Sequence, residues 1–166
     1  MTMFQKLIGV FFALVLIAGC SSSKEKGNES AVSEGNSTSI SMPTAGVNEA
    51  SELRAMVERL GNVVYFGFDQ SNITPESEEV LNAHSKLLKS TGASVVLEGN
   101  TDDRGTREYN MALGERRGKS VADYMVMQGV APSQLEVVSF GKERPAVQGN
   151  DEAAWAKNRR VEIVSH

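Results

Sequence analysis

Between Leu97 and Val121 the chain reads LEGNTDDRGTREYNMALGERRGKSV, and this stretch restricts the possible folds more than any other. An apolar run leads into a turn carrying Asp102, Asp103 and Gly105. Asn110, Leu113, Arg117 and Val121 then recur every three or four residues. That period predicts a strand, a turn and a helix with these four side chains on one face. Leu113 and Val121 suit a core-facing stripe; an arginine between them does not. A semi-buried guanidinium requires acceptors, because stranding a charge away from water costs several kcal/mol, on the order of the ion-burial penalty. The nearest carboxylates in sequence are Asp102 and Asp103, at the mouth of the same helix. The stretch therefore offers an anion and a cation around one cleft. Spacing alone leaves a second reading open, in which Asp102 and Arg117 pair with each other to close the turn.

The flanking segments supply a sheet and its covering helices. Asn48 reads as an N-cap before Leu53, Met56, Val57 and Leu60, with Gly61 as the stop. Asn62 to Phe68 reads as a strand ending in the polar loop Asp69, Gln70, Ser71 and Asn72. Thr74, Pro75 and Glu76 combine a cap, an N1 proline and an acidic first turn, opening a helix that ends at Thr91 and Gly92. Ala93 to Leu97 is the second strand, and the central helix runs to about Gln128, with Gly129 as its stop. Leu135 to Phe140 is a third strand, Asp151 to Asn158 a brief helix, and Arg160 to Val164 a half-exposed final strand. Strands alternating with helices, βαβα then ββ, predict an α/β (α+β) two-layer sandwich, a mixed sheet with helices on one face. One domain, residues 48–166, holds all of it.

The first 47 residues belong to a different kind of chain. Lys6 precedes the apolar run LIGVFFALVLIA, about a dozen residues, the form of a secretory leader rather than a bilayer span. It ends in Ile17, Ala18, Gly19 and Cys20, which resembles a bacterial lipobox. On that resemblance residues 1–20 are a lipoprotein signal peptide cut before Cys20, and Cys20 carries the lipid. Two or three acyl chains, at roughly 0.8 kcal/mol per buried methylene, hold a protein stably on a membrane. Ser21, where an aspartate would signal inner-membrane retention, favours the outer membrane by analogy with that sorting rule. Residues 21–47, rich in Ser, Gly and Asn, read as a flexible polar tether of ~30 Å end-to-end distance. Cys20 is the only cysteine, which excludes an intramolecular disulfide and a thiolate metal cluster. The net charge is −4, and without Lys6 it is 16 − 21 = −5, which gives no support to a nucleic-acid partner.

GNTDDRGTREYNMALGERRGKSV, preceded by VYFGFDQSNITPES and followed by FGKERPAV and KNRRVEI, resembles the OmpA C-terminal-like domain family. Four separated blocks agree in order over nearly all of residues 62–166. The resemblance implies a non-catalytic periplasmic domain that binds peptidoglycan without a covalent bond. Its ligand would be the free end of the meso-diaminopimelate side chain of the stem peptide, an ammonium and a carboxylate on one carbon. Asp102, in the family's G-[HN]-x-D turn, would pair with the ammonium. Arg117, in L-x-x-x-R, would grip the carboxylate. Asn110 of the YN pair, Phe68 and Asp69 would line the same cleft, with Thr101 and Leu113 from the two motifs. Two departures stand out: Asn100 replaces a common histidine and is expected to tune the cleft, and Gly67 precedes Phe68. For lipid-anchored members the resemblance also implies the propeller protein TolB and the Tol division system as partners. Alternatives are a protein-interaction hub with wall binding secondary, or an accessory of an ion-driven motor.

Catalysis finds little footing. His84 and His166 are the only histidines, neither sits in a nucleophile motif, and no cluster has zinc spacing. Asp102 and Asp103, adjacent on one turn, point apart rather than across a glycoside. No cofactor is expected beyond the lipid on Cys20. Arg116 is expected in solvent, the run Lys157 to Arg160 on a solvated face with entry of Arg159 or Arg160 into the cleft left open, and Trp155 in the core.

Overall fold

The computed structural model describes residues 45–165. The expected leader, Cys20, residues 21–44 of the expected tether and His166 lie outside the described residues. In chain order the elements are α1 (Ala45–Leu60), β1 (Val63–Tyr65), α2 (Pro75–Thr91), β2 (Val95–Asn100), α3 (Arg107–Met127), a 3-10 turn (Pro132–Gln134), β3 (Leu135–Gly141), α4 (Glu152–Asn158) and β4 (Arg160–Ser165). Helix α1 starts three residues ahead of the expected cap, so Asn48 lies inside it, its carbonyl accepting from the Ser51 hydroxyl at 2.7 Å. The other helix ends follow their local chemistry. Thr74 accepts from the Ser77 N–H and Gly92 closes α2 at φ 68°, while Thr106 accepts from the Tyr109 N–H to open α3.

The sheet order is β1-β4-β2-β3. β2 and β3 are parallel, with α3 as their crossover, and β4 runs antiparallel to both β1 and β2. The last strand is thus threaded through the middle of the sheet. Val64 pairs with Val161 and Leu97 with Ile163, so these side chains share one face. With Val95 they meet Leu81 and Leu88 of α2 and Val121 and Met125 of α3 in a single core. The opposite face carries the half-exposed Val96, Glu98, Glu162 and Val164. The expected two-layer arrangement is the observed one.

Two strand ends differ from expectation, and both differences build the site. β1 stops at Tyr65; Phe66 still donates to the Arg159 carbonyl at 2.9 Å, and the chain then turns, Gln70 donating to Gly67. β2 continues past Leu97 through Glu98, Gly99 and Asn100 because β3 and β4 pair with that segment from both sides. Glycine suits this strand end for a reason of space. A Cβ on Gly99 would lie 2.0 Å from the Gly114 carbonyl oxygen, and one on Gly118 2.6 Å from Val137. Helix α3 therefore crosses the sheet almost backbone to backbone, which sinks its next inward residue, Arg117, below the surface.

Candidate ligand-binding site

Arg117 is completely buried, 0 % exposed, and carbonyls hold it rather than a carboxylate. Its Nε donates to Gln70 at 2.8 Å, Nη1 to Asn100 at 2.9 Å and Nη2 to Gly67 at 3.0 Å. The loop after β1 and the end of β2 are thus tied to α3 through one side chain. Arg117 forms no ion pair with Asp102, so closure of the turn by that pair is not how the chain satisfies it. Burial pulls its pKa down to about 10, against the Asp102 carboxylate and helped by the Arg159 charge, which still leaves it protonated at neutral pH. Of a guanidinium's five N–H donors, these bonds leave one on each terminal nitrogen.

Asp102 finds its cations elsewhere. Its Oδ2 meets Arg104 Nη2 at 2.5 Å and Arg159 Nη1 at 3.6 Å, and its Oδ1 accepts the Arg104 backbone N–H at 3.3 Å. Burial pushes this carboxyl up, but the Arg104 hydrogen bonds and the Arg104 and Arg159 charges together hold it below its ordinary value. The Arg104 guanidinium is sandwiched between aromatic rings, 4.1 Å from the Phe68 centroid and 4.0 Å from that of Trp155. Trp155, expected in the core, is instead a half-buried stacking platform, its Nε1 donating to Asp103 at 2.7 Å.

The basic run beside β4 is also not the solvated face the sequence suggests. Arg159 and Arg160 are both buried. Arg159 Nε donates to the Phe66 carbonyl at 3.0 Å and Nη2 to Glu152 at 2.6 Å, while Arg160 Nε donates to Glu162 at 2.7 Å. Arg159 thus stands behind Asp102, whereas Arg160 serves the sheet. Arg116 is exposed, as expected.

Asp102 and Arg117 open onto one cavity of about 230 Å³, shared with Phe68, Asp69, Asn110 and Leu113. Six of the seven expected ligand residues are therefore together. Thr101 is the exception: it is buried, donates to the Asp102 carbonyl at 3.0 Å, and borders a separate polar recess with Asp103 and Lys142. Asn100 does not line the cavity either. Its amide donates to the Glu98 carbonyl, while its own carbonyl serves Arg117, so it supports the cleft from behind. Asn110 is fixed by its amide to the Arg104 carbonyl at 2.7 Å and to the Thr106 carbonyl at 3.0 Å. Asp69 occupies the left-handed region, φ 55°, a conformation that aspartate tolerates better than most residues, and accepts the Tyr109 hydroxyl.

Arg104 and Tyr109 also line the cavity and were not singled out from the sequence. A signal existed for Arg104, a cation two residues after a carboxylate in a tight turn. Nothing local in sequence reports its two aromatic partners, which come from 36 residues before it and 51 after. The cavity brings together two carboxylates, Asp69 and Asp102, and two guanidinium groups, Arg104 and Arg117, beside the apolar Phe68 and Leu113.

The OmpA family model matches residues 65–159, the span that contains every cavity residue. A peptidoglycan-associated lipoprotein from Pseudomonas putida is 47% identical, covering 98% of this chain and 98% of its own. The one from Haemophilus influenzae is 43% identical over 99% of each chain. Among solved structures, the peptidoglycan-associated lipoprotein from Burkholderia pseudomallei superposes with a TM-score of 0.64 at 38% identity, covering 73% of this chain and 99% of that one. The C-terminal domain of Helicobacter pylori MotB, at 22% identity and a TM-score of 0.59 over 64% of this chain and 84% of that one, shares the fold.

Proposed function

This chain belongs to the OmpA family, with peptidoglycan-associated lipoproteins as its full-length relatives, and from that premise we propose that its domain binds peptidoglycan without a covalent bond, by the diaminopimelate end of a stem peptide. One observation carries the reading: a carboxylate and a buried guanidinium face the same cavity of about 230 Å³. The ligand ammonium goes to Asp102. Its carboxylate goes to the N–H groups that Arg117 has not committed to carbonyls. The intervening methylenes lie along Leu113 and Phe68.

Charge-assisted hydrogen bonds contribute about 1.5–3 kcal/mol each, and two of them with a few buried methylenes give a modest affinity for one stem peptide. Many tethered copies facing many stem peptides raise retention through effective concentration. We propose accordingly that Cys20 carries the lipid, residues 21–44 form the tether, and the protein links the outer membrane to the wall. The activity is binding rather than catalysis; His84, the one histidine among the described residues, lies away from the cavity with its Nε2 against the Gly61 carbonyl. TolB fits as a partner that competes for the rim of this cleft, where Phe68 and Tyr109 stand exposed. No cofactor takes part.

The test is sedimentation of the chain from Ser21 onward with purified diaminopimelate-containing sacculi. Wild type is expected to pellet with the wall and Asp102→Asn to remain in solution with an unchanged circular dichroism spectrum. Equal sedimentation of the two would remove Asp102 from the site, and failure of both to pellet would turn the reading to a protein partner.

A further inference from the structure

Asp102 holds a cation of the chain's own. Arg104 Nη2 sits 2.5 Å from its Oδ2, and the same guanidinium fills the gap between Phe68 and Trp155. An acidic group backed by two aromatic walls is how a small organic cation is recognised. This chain has put its own arginine there.

Resting on the diaminopimelate reading of the cavity, we infer that Arg104 is a built-in competitor: it occupies the cation subsite formed by Asp102, Phe68 and Trp155, and an incoming ammonium binds by displacing it. Three features fit a side chain poised to leave. Its side chain is one-third exposed, so the guanidinium has a direct path to solvent when it leaves the buried Asp102. Its Nε is buried without a hydrogen-bond partner, so the seated state is incompletely satisfied. Asp102 is also not left alone when Arg104 goes, because Arg159 Nη1 stands 3.6 Å from Oδ2 with no hydrogen bond of its own. Arg159 is itself held by Phe66 and Glu152, so it remains in place beside the carboxylate. Arg117, locked to three carbonyls, does not take part in the exchange.

An internal competitor lowers the affinity of every cationic ligand by one common factor, the equilibrium constant for its own seating. A plain ammonium then binds too weakly to be held, whereas a zwitterion that also engages Arg117 retains useful affinity. Arg104 thus acts as a threshold against amines lacking the carboxylate.

The experiment uses the full-length chain in mild detergent, titrated with meso-diaminopimelate and with Nα-acetyl-lysine amide. Binding is read by calorimetry and by the fluorescence of the chain's single tryptophan, Trp155. Wild type, Arg104→Met, which keeps a stem between the rings, and Asp102→Asn are compared. The expected result is that Arg104→Met binds both ligands more tightly by the same factor, about fivefold. In wild type the ammonium takes the place of the guanidinium against the indole, so the fluorescence change on binding should be smaller than in Arg104→Met, where a cation arrives at an indole that faced none. Unchanged or weaker diaminopimelate binding by Arg104→Met, with Asp102→Asn dead and wild type active, overturns the competitor and leaves the site intact. A gain confined to one ligand also overturns it, since Arg104 would then be touching that ligand. If wild type and Asp102→Asn are equally inert, the site reading fails and the competitor fails with it. Should Arg104→Met be unfolded, Arg104→Gln takes its place, and unchanged or weaker diaminopimelate binding by that folded variant is the overturning result.

Discussion

A guanidinium with no exposure to solvent has to be held by acceptors, and Arg117 solves this with three backbone carbonyls from two separate segments. It is therefore a strut as well as a candidate ligand contact. Arg117→Ala is expected to cost about 3 kcal/mol or more in urea unfolding, because it leaves buried carbonyls unpaired and empties a large volume. Arg117→Lys should recover little, since an ammonium cannot reproduce the planar fork. Loss of binding by either variant would thus mix two effects, and Asp102→Asn is the cleaner probe. A second residue sets a pH dependence. Burial lowers the His84 pKa below its ordinary value, against the Gly61 carbonyl that favours the charged ring. The unfolded chain then takes up the proton first as pH falls. The His84 contribution to stability is complete above about 6.5 and is lost as pH drops through the lower folded value. Wild type should lose stability over that range in denaturant titrations at stepped pH, and His84→Gln should show a flatter profile there.

At the scale of elements, the crossing of α3 over β2 decides where the site lies. Gly99→Ala places a methyl 2.0 Å from the Gly114 carbonyl oxygen, a backbone atom that cannot step aside. The expected loss is about 3 kcal/mol by chemical denaturation, with the cleft disturbed as well. Gly92→Ala meets no atom within 4 Å and bears only the strain of φ 68°, so about 1–2 kcal/mol is expected. The same crossing shows what local sequence can and cannot report. Thr74 with Pro75, and the i, i+3, i+4 stripe of α3, are local codes, and both helices lie where they point. The meeting of Asp102 and Arg117 at one cavity is legible for the same reason, being a turn and the helix that follows it. β2 is not so legible at its end: Glu98, Gly99 and Asn100 read as a turn, and pairing with β3 and β4 on both sides overrides that preference. The burial of Arg159 is equally invisible locally, because its partners Phe66 and Asp102 come from β1's end and β2's turn. Trp155 is the same case, its role set by Arg104.

At the scale of the whole molecule, the proposed binding of peptidoglycan runs through one small cavity. The two charges must then act together on one ligand. The most direct measurement is a titration of the ¹⁵N-labelled chain from Ser21 onward with meso-diaminopimelate, followed by NMR. The expected result is saturable shifts confined to the amides around the cavity, at Asp69, Asp102, Arg104, Asn110 and Arg117, and their disappearance in Asp102→Asn. Below the ordinary carboxylate range the shifts should also fade as Asp102 takes up a proton, since the ammonium then loses its partner. Saturable shifts elsewhere on the surface, or shifts at the cavity that persist unchanged in Asp102→Asn, would contradict it.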